Sequence, residues 1–222
     1  MGGTARYDAV ADWYDRLVTG TGSPDQLMVW ELLGHGSGRC LDLGCGTGAQ
    51  APAVRDLGWT VIGVDVSREQ LRIARASNRL VAVACADAAQ LPIASESVDA
   101  VISLATHTDI DDWDTAAREV GRVLRPGGLF VYAGMHPCFI GPFSELRDDG
   151  TRVLHEGYRD TRRRFHGPGI GDGLRSRVGV KHLPLPNLLN PVLTAGMRIE
   201  RFAESTDRAT PLLLAFRAMR QP

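Results

Sequence analysis

The sequence predicts an α/β fold in which a parallel sheet is wound by helices, and three observations carry that prediction. An apolar run, Arg39-Cys40-Leu41-Asp42-Leu43, ends in three alternating glycines, Gly44, Gly46 and Gly48. A buried strand ends this way when its terminal turn must pass close to a ligand. A second apolar run, 60–65, ends in an acid, Asp65, which lies 19 positions after Gly46. Strand-like runs then alternate with segments of helical periodicity, the order of repeated βαβ units.

A chain of 222 residues and 24.0 kDa with 44% hydrophobic residues is long enough for one well-buried core and too short for two large domains. The net charge of −1 gives no general attraction to nucleic acid or to an anionic membrane surface. No apolar run approaches the roughly 18 residues of a membrane span, and Met1-Gly2-Gly3-Thr4-Ala5-Arg6 leads into a polar segment rather than a signal-peptide core. The expectation is a cytoplasmic protein. Cys40, Cys45, Cys85 and Cys138 lack Cys-x-x-Cys spacing and are expected as free thiols, with Cys45 a small filler in the glycine loop.

Taken in order, residues 1–33 carry two amphipathic segments. Tyr7, Val10, Ala11, Tyr14 and Leu17 repeat at helical spacing, Gly20-Thr21-Gly22-Ser23-Pro24 breaks the run, and 26–33 starts another helix. Such a stripe can be plain core packing. Tyr7, Trp13 and Tyr14 also form an aromatic cluster ahead of the loop, one of which could close over a cofactor. After the loop, 49–57 reads as a helix ended by Gly58, and 60–65 as the second strand. An acid in the place of Asp65 can accept hydrogen bonds from ribose hydroxyls. Ser67, with Glu69 and Gln70 behind it, reads as the cap of a helix over 67–77.

The next strand spans 80–85 and closes on Ala86-Asp87-Ala88, where Asp87 is either a turn acid or an acceptor for an adenine amine. A fourth strand covers 98–104 and a helix 115–124. Arg125-Pro126-Gly127-Gly128 reads as a turn, and 129–133 as a fifth strand. The acids Asp109, Asp111, Asp112 and Asp114 lack the spacing of a Ca²⁺ loop and read as helix capping, so no metal is expected.

With these stretches in hand, the chain resembles the class I S-adenosylmethionine-dependent methyltransferases, in the small-molecule group related to the ubiquinone and menaquinone biosynthesis methyltransferases. Leu41-Asp42-Leu43-Gly44-Cys45-Gly46-Thr47-Gly48 resembles the first motif of that group, and Val64-Asp65-Val66-Ser67 the ribose acid. Ala86-Asp87-Ala88 with Leu91-Pro92 resembles the adenine-side motif. Val98-Asp99-Ala100-Val101-Ile102-Ser103 and Val123-Leu124-Arg125-Pro126-Gly127-Gly128 match the later ones. The alternating Gly-x-Gly-x-Gly departs from the Gly-x-Gly-x-x-Gly dinucleotide fingerprint, which counts against a nicotinamide-dependent oxidoreductase.

The resemblance implies a Rossmann-like fold with a seven-stranded mixed sheet in the order 3-2-1-4-5-7-6, and S-adenosylmethionine as cofactor. It implies that the Gly44, Cys45, Gly46 and Gly48 backbone holds the methionine half with Asp42 nearby, that Asp65 with Val66 takes the ribose, and that Asp87 with Ala88 takes the adenine. Ser103 and Leu104 end the fourth strand beside them, and Tyr14 is the aromatic residue expected over the cofactor. Methyl transfer in this class is an in-line displacement at the sulfonium carbon, so the protein chiefly aligns the acceptor and excludes water. His107 and His136 follow the fourth and fifth strands and are the candidates for a general base; packed, hydrogen-bonded histidines are the alternative. Pro137-Cys138 resembles the pair of cytosine C5-methyltransferases, but those carry it after the fourth strand. Leu104-Ala105-Thr106-His107 lacks the Asn/Asp-Pro-Pro-aromatic signature that holds a planar amine.

Residues 134–185 are too long for a plain connection and are assigned to the substrate. Between Arg147 and Lys181 nine Lys or Arg stand against five Asp or Glu, a balance of +4 that leaves the rest of the chain at −5. Arg159, Arg162, Arg163 and Arg164 are read as neighbours on a helix. This charge run is either a solvated face or a holder for an anionic acceptor, with Tyr7, Arg163, Arg175 and His182 as the substrate candidates. The tail reads as a helix over 188–195 and strands over 197–202 and 211–217.

The expected organisation is one domain: cap helices in 1–35, a cofactor core in 36–133, a substrate cap in 134–185 and a closing hairpin in 186–222. Two readings of function stand. One is methyl transfer to oxygen, nitrogen or carbon of a small molecule, with no nucleic-acid or membrane partner. The other is a protein that binds S-adenosylmethionine or S-adenosylhomocysteine without methyl transfer, as a regulator or as an enzyme using the cofactor electrostatically.

Overall fold

The structure, a computed structural model, describes residues 5–18, 24–80, 82–206 and 209–222. A single 3-10 turn, Asp8–Val10, leads into α1 (Ala11–Val18), followed by α2 (Pro24–Leu33), β1 (Arg39–Leu43), α3 (Ala51–Asp56), β2 (Thr60–Asp65), α4 (Arg68–Ala76), β3 (Val83–Cys85) and β4 (Val98–Leu104). The chain continues through α5 (Trp113–Val123), β5 (Leu124–Met135), β6 (Ser144–Leu146), β7 (Arg152–Leu154), β8 (Arg163–Arg164), α6 (Leu174–Val178), β9 (Val180–Lys181), α7 (Leu185–Thr194), β10 (Met197–Glu204) and β11 (Leu213–Arg220). The glycine break after α1 falls outside the described residues.

Seven strands form one sheet in the order β10-β11-β5-β4-β1-β2-β3. Counting only these seven along the chain, the order is the expected 3-2-1-4-5-7-6. The first five run parallel, and β11 enters antiparallel between β5 and β10. Parallel strands are covered on both faces, which is why β1 and β4 are nearly continuous apolar runs. Alternate residues serve opposite faces. Leu41 and Leu43 join Trp113, Phe130, Tyr132, Leu188 and Phe216 under α5 and α7. Cys40 joins Leu32, Val54, Leu71 and Ile102 under α2, α3 and α4.

Local chemistry sets the element ends. Ser67 caps α4 through its Oγ, which accepts the Gln70 N–H at 3.2 Å. The Asp112 carboxylate caps α5 by accepting the Thr115 N–H at 3.0 Å. The expected turn at Arg125-Pro126-Gly127-Gly128 lies inside β5: between Leu124 and Leu129 the strand advances five residues while β4 advances two, with Gly127 at φ +79°. The strand expected over 80–85 is shorter, as β3 pairs with β2 only over Val83–Cys85.

The helix expected around Arg159–Arg164 is not formed. Arg159 stands three and four residues before Arg162 and Arg163, spacings at which like charges repel on a helix face, and Gly157 and Gly167-Pro168-Gly169 bound the stretch closely. Arg163 and Arg164 instead pair as β8 with β9, while Arg162 and Arg164 each donate to Asp160, at 2.9 and 3.2 Å.

Candidate functional site

A cavity of about 620 Å³ opens at the carboxyl ends of β1, β2, β3 and β4. This is where open α/β sheets hold ligands, beside the point at which the strand order reverses. Its floor is the loop after β1. Gly44 has φ +72° and Gly46 φ +54°, conformations that L side chains rarely adopt. A Cβ on Gly44 would stand 2.2 Å from Thr106 Cγ2, and one on Gly46 2.5 Å from Gln70 Oε1. The Gly44 and Cys45 N–H groups donate to the Val64 carbonyl at 2.7 and 3.1 Å, fastening the loop to the end of β2.

Two carboxylates stand over this loop. Asp65 uses Oδ2 to accept the Gly46 N–H and Oδ1 to accept the Ser67 N–H, both at 2.8 Å, which joins loop, strand end and helix cap. Burial pushes its carboxyl up, and these backbone donors pull it back. Asp42 is 2% exposed, and its Oδ2 has no hydrogen-bond partner among the described residues. Burial foremost, and then the charge of Asp65, push the Asp42 carboxyl up to about 7. A buried polar atom without a partner is costly, so Asp42 marks a place suited to a cationic or hydrogen-donating ligand group. Cys45 lies in the same floor, where burial pushes its thiol up and keeps it unreactive.

Val66, Ala86, Asp87, Ala88 and Leu104 line the cavity as expected, and so does Tyr14. Asp87 is exposed and closes its own turn by accepting the Ala89 N–H at 2.9 Å. Tyr7 and Tyr14 meet edge to face with ring centres 5.3 Å apart. Two of the expected cofactor residues stand off the cavity wall. Gly48 faces Leu80 and Arg79, and Ser103 is fully buried with its hydroxyl on Thr106.

The two histidines are corrections of a larger kind. The chain turns at Ala105 (φ +56°), so that Thr106 meets the cavity while His107 enters the core. There its Nδ1 lies 2.8 Å from Tyr132 Oη, and burial, helped by the charges of Arg175 and His182, lowers it to about 3. It is a neutral, packed residue at pH 7. His136 accepts the Cys138 N–H at Nδ1 (3.2 Å), which leaves Nε2–H to donate to Glu204 at 2.8 Å. It borders a separate groove with Leu189 and Phe202, outside the cavity.

The substrate candidates divide. Tyr7 lines the cavity, and its hydroxyl donates to Asp109 Oδ2 at 3.0 Å. Arg175 donates to the same carboxylate at 2.9 Å and Arg163 to Asp111 at 2.8 Å, so both guanidinium groups are engaged and neither is on the cavity wall. His182 is packed between Phe143 and Tyr158, and burial lowers it to about 4.

The acidic cluster read as helix capping also divides. Asp112 is the cap and Asp114 stands in the first turn of α5, whereas Asp109 and Asp111 line the cavity and bind Tyr7, Arg6, Arg163 and Arg175. These two acids and Arg6 are site residues that the sequence reading missed. The available signal was their place just beyond the carboxyl end of β4; partners 52 to 105 residues away leave no mark in local sequence.

Residues 41–132 match the family described as a methyltransferase domain. A methyltransferase of Streptomyces halstedii, GfsG, is 40% identical over 102 residues, which are 43% of this chain and 37% of that protein. A demethylmenaquinone methyltransferase of Renibacterium salmoninarum is 32% identical over 145 residues, 63% of this chain and 61% of that protein. The chain thus spans less than two thirds of the length of these relatives. A solved S-adenosylmethionine-dependent methyltransferase from Mesorhizobium loti shares the fold with TM-score 0.75 at 24% identity, covering 90% of this chain and 99% of that one. The resemblance to class I S-adenosylmethionine-dependent methyltransferases holds in both domain and fold.

Proposed function

We propose, with the methyltransferase-domain match over residues 41–132 as the premise, that the cavity binds S-adenosylmethionine and that the protein transfers its methyl group to a small molecule. The observation that carries this reading is the buried, unpartnered Asp42 oxygen beside a glycine loop with no room for side chains. The residues present fit the cofactor. Gly44 and Gly46 let backbone approach the methionine half, Asp42 offers a buried carboxyl to a cationic or hydrogen-donating group, and Asp65 and Asp87 offer acceptors to the ribose and adenine. When bound, the cofactor supplies an electrophilic methyl group on a sulfonium sulfur.

The rest falls to this chain's own residues. Tyr7, Tyr14, Leu17 and Ile110 exclude water from the cavity, which strengthens every polar contact inside it. Asp109, held by Tyr7 and Arg175, is a carboxylate on the cavity wall, and it replaces His107 and His136 as the residue placed to receive a hydrogen bond from an acceptor. Because Arg163 and Arg175 are spent on Asp109 and Asp111, the reading favours a neutral acceptor over an anionic one. No helix among the described residues is long and apolar enough to cross a membrane, and we place the activity in the cytoplasm with the whole chain acting as one domain.

The test is incubation with S-adenosylmethionine and a panel of hydroxyl, amine and carboxylate compounds, read by mass. A gain of one methyl group on a neutral compound together with S-adenosylhomocysteine is expected. Cofactor binding with no methylated product across the panel would favour the non-transferring alternative.

A further inference from the structure

The segment 5–18 lies over the mouth of the cavity with Arg6, Tyr7, Tyr14 and Leu17 on its wall, yet almost nothing apolar fastens it. Ala11 is the one buried residue of this segment, and Leu17 is 51% exposed. Helix α1 has eight residues, about 12 Å of helix, too short to persist without tertiary support. Its fastenings are polar and stand on opposite sides of the mouth.

On the α4 side, Asp8 accepts the Ser67 hydroxyl at 2.6 Å. Asp15 pairs with Arg79, which also donates to the Thr47 carbonyl of the glycine loop at 3.3 Å. On the β4 side, Arg6 pairs with Asp111 at 3.1 Å, and Tyr7 donates to Asp109 at 3.0 Å. The same two carboxylates take Arg163 and Arg175 from the 134–185 insertion, at 2.8 and 2.9 Å. Asp109 and Asp111 therefore join both covers of the cavity to the end of β4.

We propose that residues 5–18 form a lid closed by this ionic latch, and that opening the latch gates exchange of the cofactor. The proposal rests on the cofactor reading above. Arg6–Asp111 is the exposed member of the latch, its side chains 36% and 67% exposed, whereas those of Arg175–Asp109 and Arg79–Asp15 are between 19% and 25% exposed. An exposed pair is weak and is screened by salt, the Debye length falling from about 10 Å at 0.1 M to about 3 Å at 1 M, so Arg6–Asp111 is where salt acts first. The apolar core beneath has no such dependence. Local opening of the segment should therefore respond to ionic strength while the sheet does not.

The experiment has two limbs on the full chain, each at 50 mM and 1 M NaCl, with wild type and Asp111→Asn. The first is amide hydrogen exchange of peptides covering 5–18, with the β4 peptide as internal reference. The second is the dissociation rate of S-adenosylhomocysteine by stopped flow. The lid predicts that 1 M salt speeds both lid exchange and dissociation by about fivefold or more. It also predicts that Asp111→Asn reproduces part of this at low salt, with the β4 peptide unchanged. Exchange of 5–18 indifferent to both salt and Asp111→Asn would overturn the latch. Faster exchange with an unchanged dissociation rate would overturn the gate. Absence of S-adenosylhomocysteine binding would remove the cofactor reading, and gating with it, even if exchange responds to salt.

Discussion

At the floor of the cavity, Gly44 and Gly46 hold positive φ values within a few residues of the strand that delivers them, and Asp65 locks the loop through backbone N–H groups. At its cover, Tyr7 and Arg175 meet on Asp109 across sequence separations of 102 and 66 residues, through side chains alone. The floor is a property of backbone conformation, which few residue types allow. The cover is a set of exchangeable charges on short elements. A floor of this kind fails sharply when one atom is added, whereas a cover of this kind weakens by degrees.

The largest effect should follow from Gly44→Val. The new Cβ would lie 2.2 Å from Thr106 Cγ2, and a β-branched residue would have to hold φ +72°. A stability loss of about 1–3 kcal/mol and a loss of S-adenosylhomocysteine affinity of at least about 100-fold are expected, read by thermal melting and calorimetry. A variant that binds as wild type does would mean the floor is not a backbone cradle.

Asp42 offers the next effect, through pH. Its carboxyl is raised in the folded chain to about 7 from an ordinary 3.8, so the folded state holds a proton that the unfolded state has released. The associated stability is present in full below pH 4 and is lost as pH rises toward and through 7, on the order of 2–4 kcal/mol. Asp42→Asn abolishes this slope. Melting temperatures of the two proteins should therefore diverge between pH 4 and 8, with the variant ahead at the upper end. Parallel curves would show that Asp42 finds a partner or solvent.

At the cover the changes shrink. Tyr7→Phe removes the hydrogen bond to Asp109 and the one that the Tyr7 hydroxyl accepts from Arg175 at 3.3 Å, and a hydrogen bond to a charged group is worth about 1.5–3 kcal/mol. It should speed S-adenosylhomocysteine dissociation several-fold, with a smaller effect on melting temperature than Gly44→Val. His136→Gln keeps a donor for Glu204 and touches no cavity wall, so binding and turnover should stay within about twofold. A large loss of turnover with intact binding would return His136 to the catalytic role that its sequence position suggested.

The same contrast explains what could be read in advance. The Ser67 cap, the span of β2 and the Gly44-to-Asp65 floor follow from local patterns: apolar runs, glycine spacing, acids at strand ends, whereas the sheet order came with the family resemblance that those motifs carry. His107 misled because a strand end specifies an edge of the sheet and not a direction, and the turn at Ala105 sends the imidazole inward. Arg163 misled because a cation's partner decides its role, and Asp111 lies 52 residues upstream. The acids after β4 were visible but ambiguous, since capping and pairing draw on the same residue type.

The central claim is that the floor binds an adenosyl cofactor through Asp65, and calorimetric titration with S-adenosylhomocysteine, beside NAD and an Asp65→Ala variant, tests it most directly. The account predicts micromolar binding of S-adenosylhomocysteine, none of NAD, and a penalty of about 1–3 kcal/mol in the variant. Binding of NAD in preference, or wild-type affinity in Asp65→Ala, would contradict it.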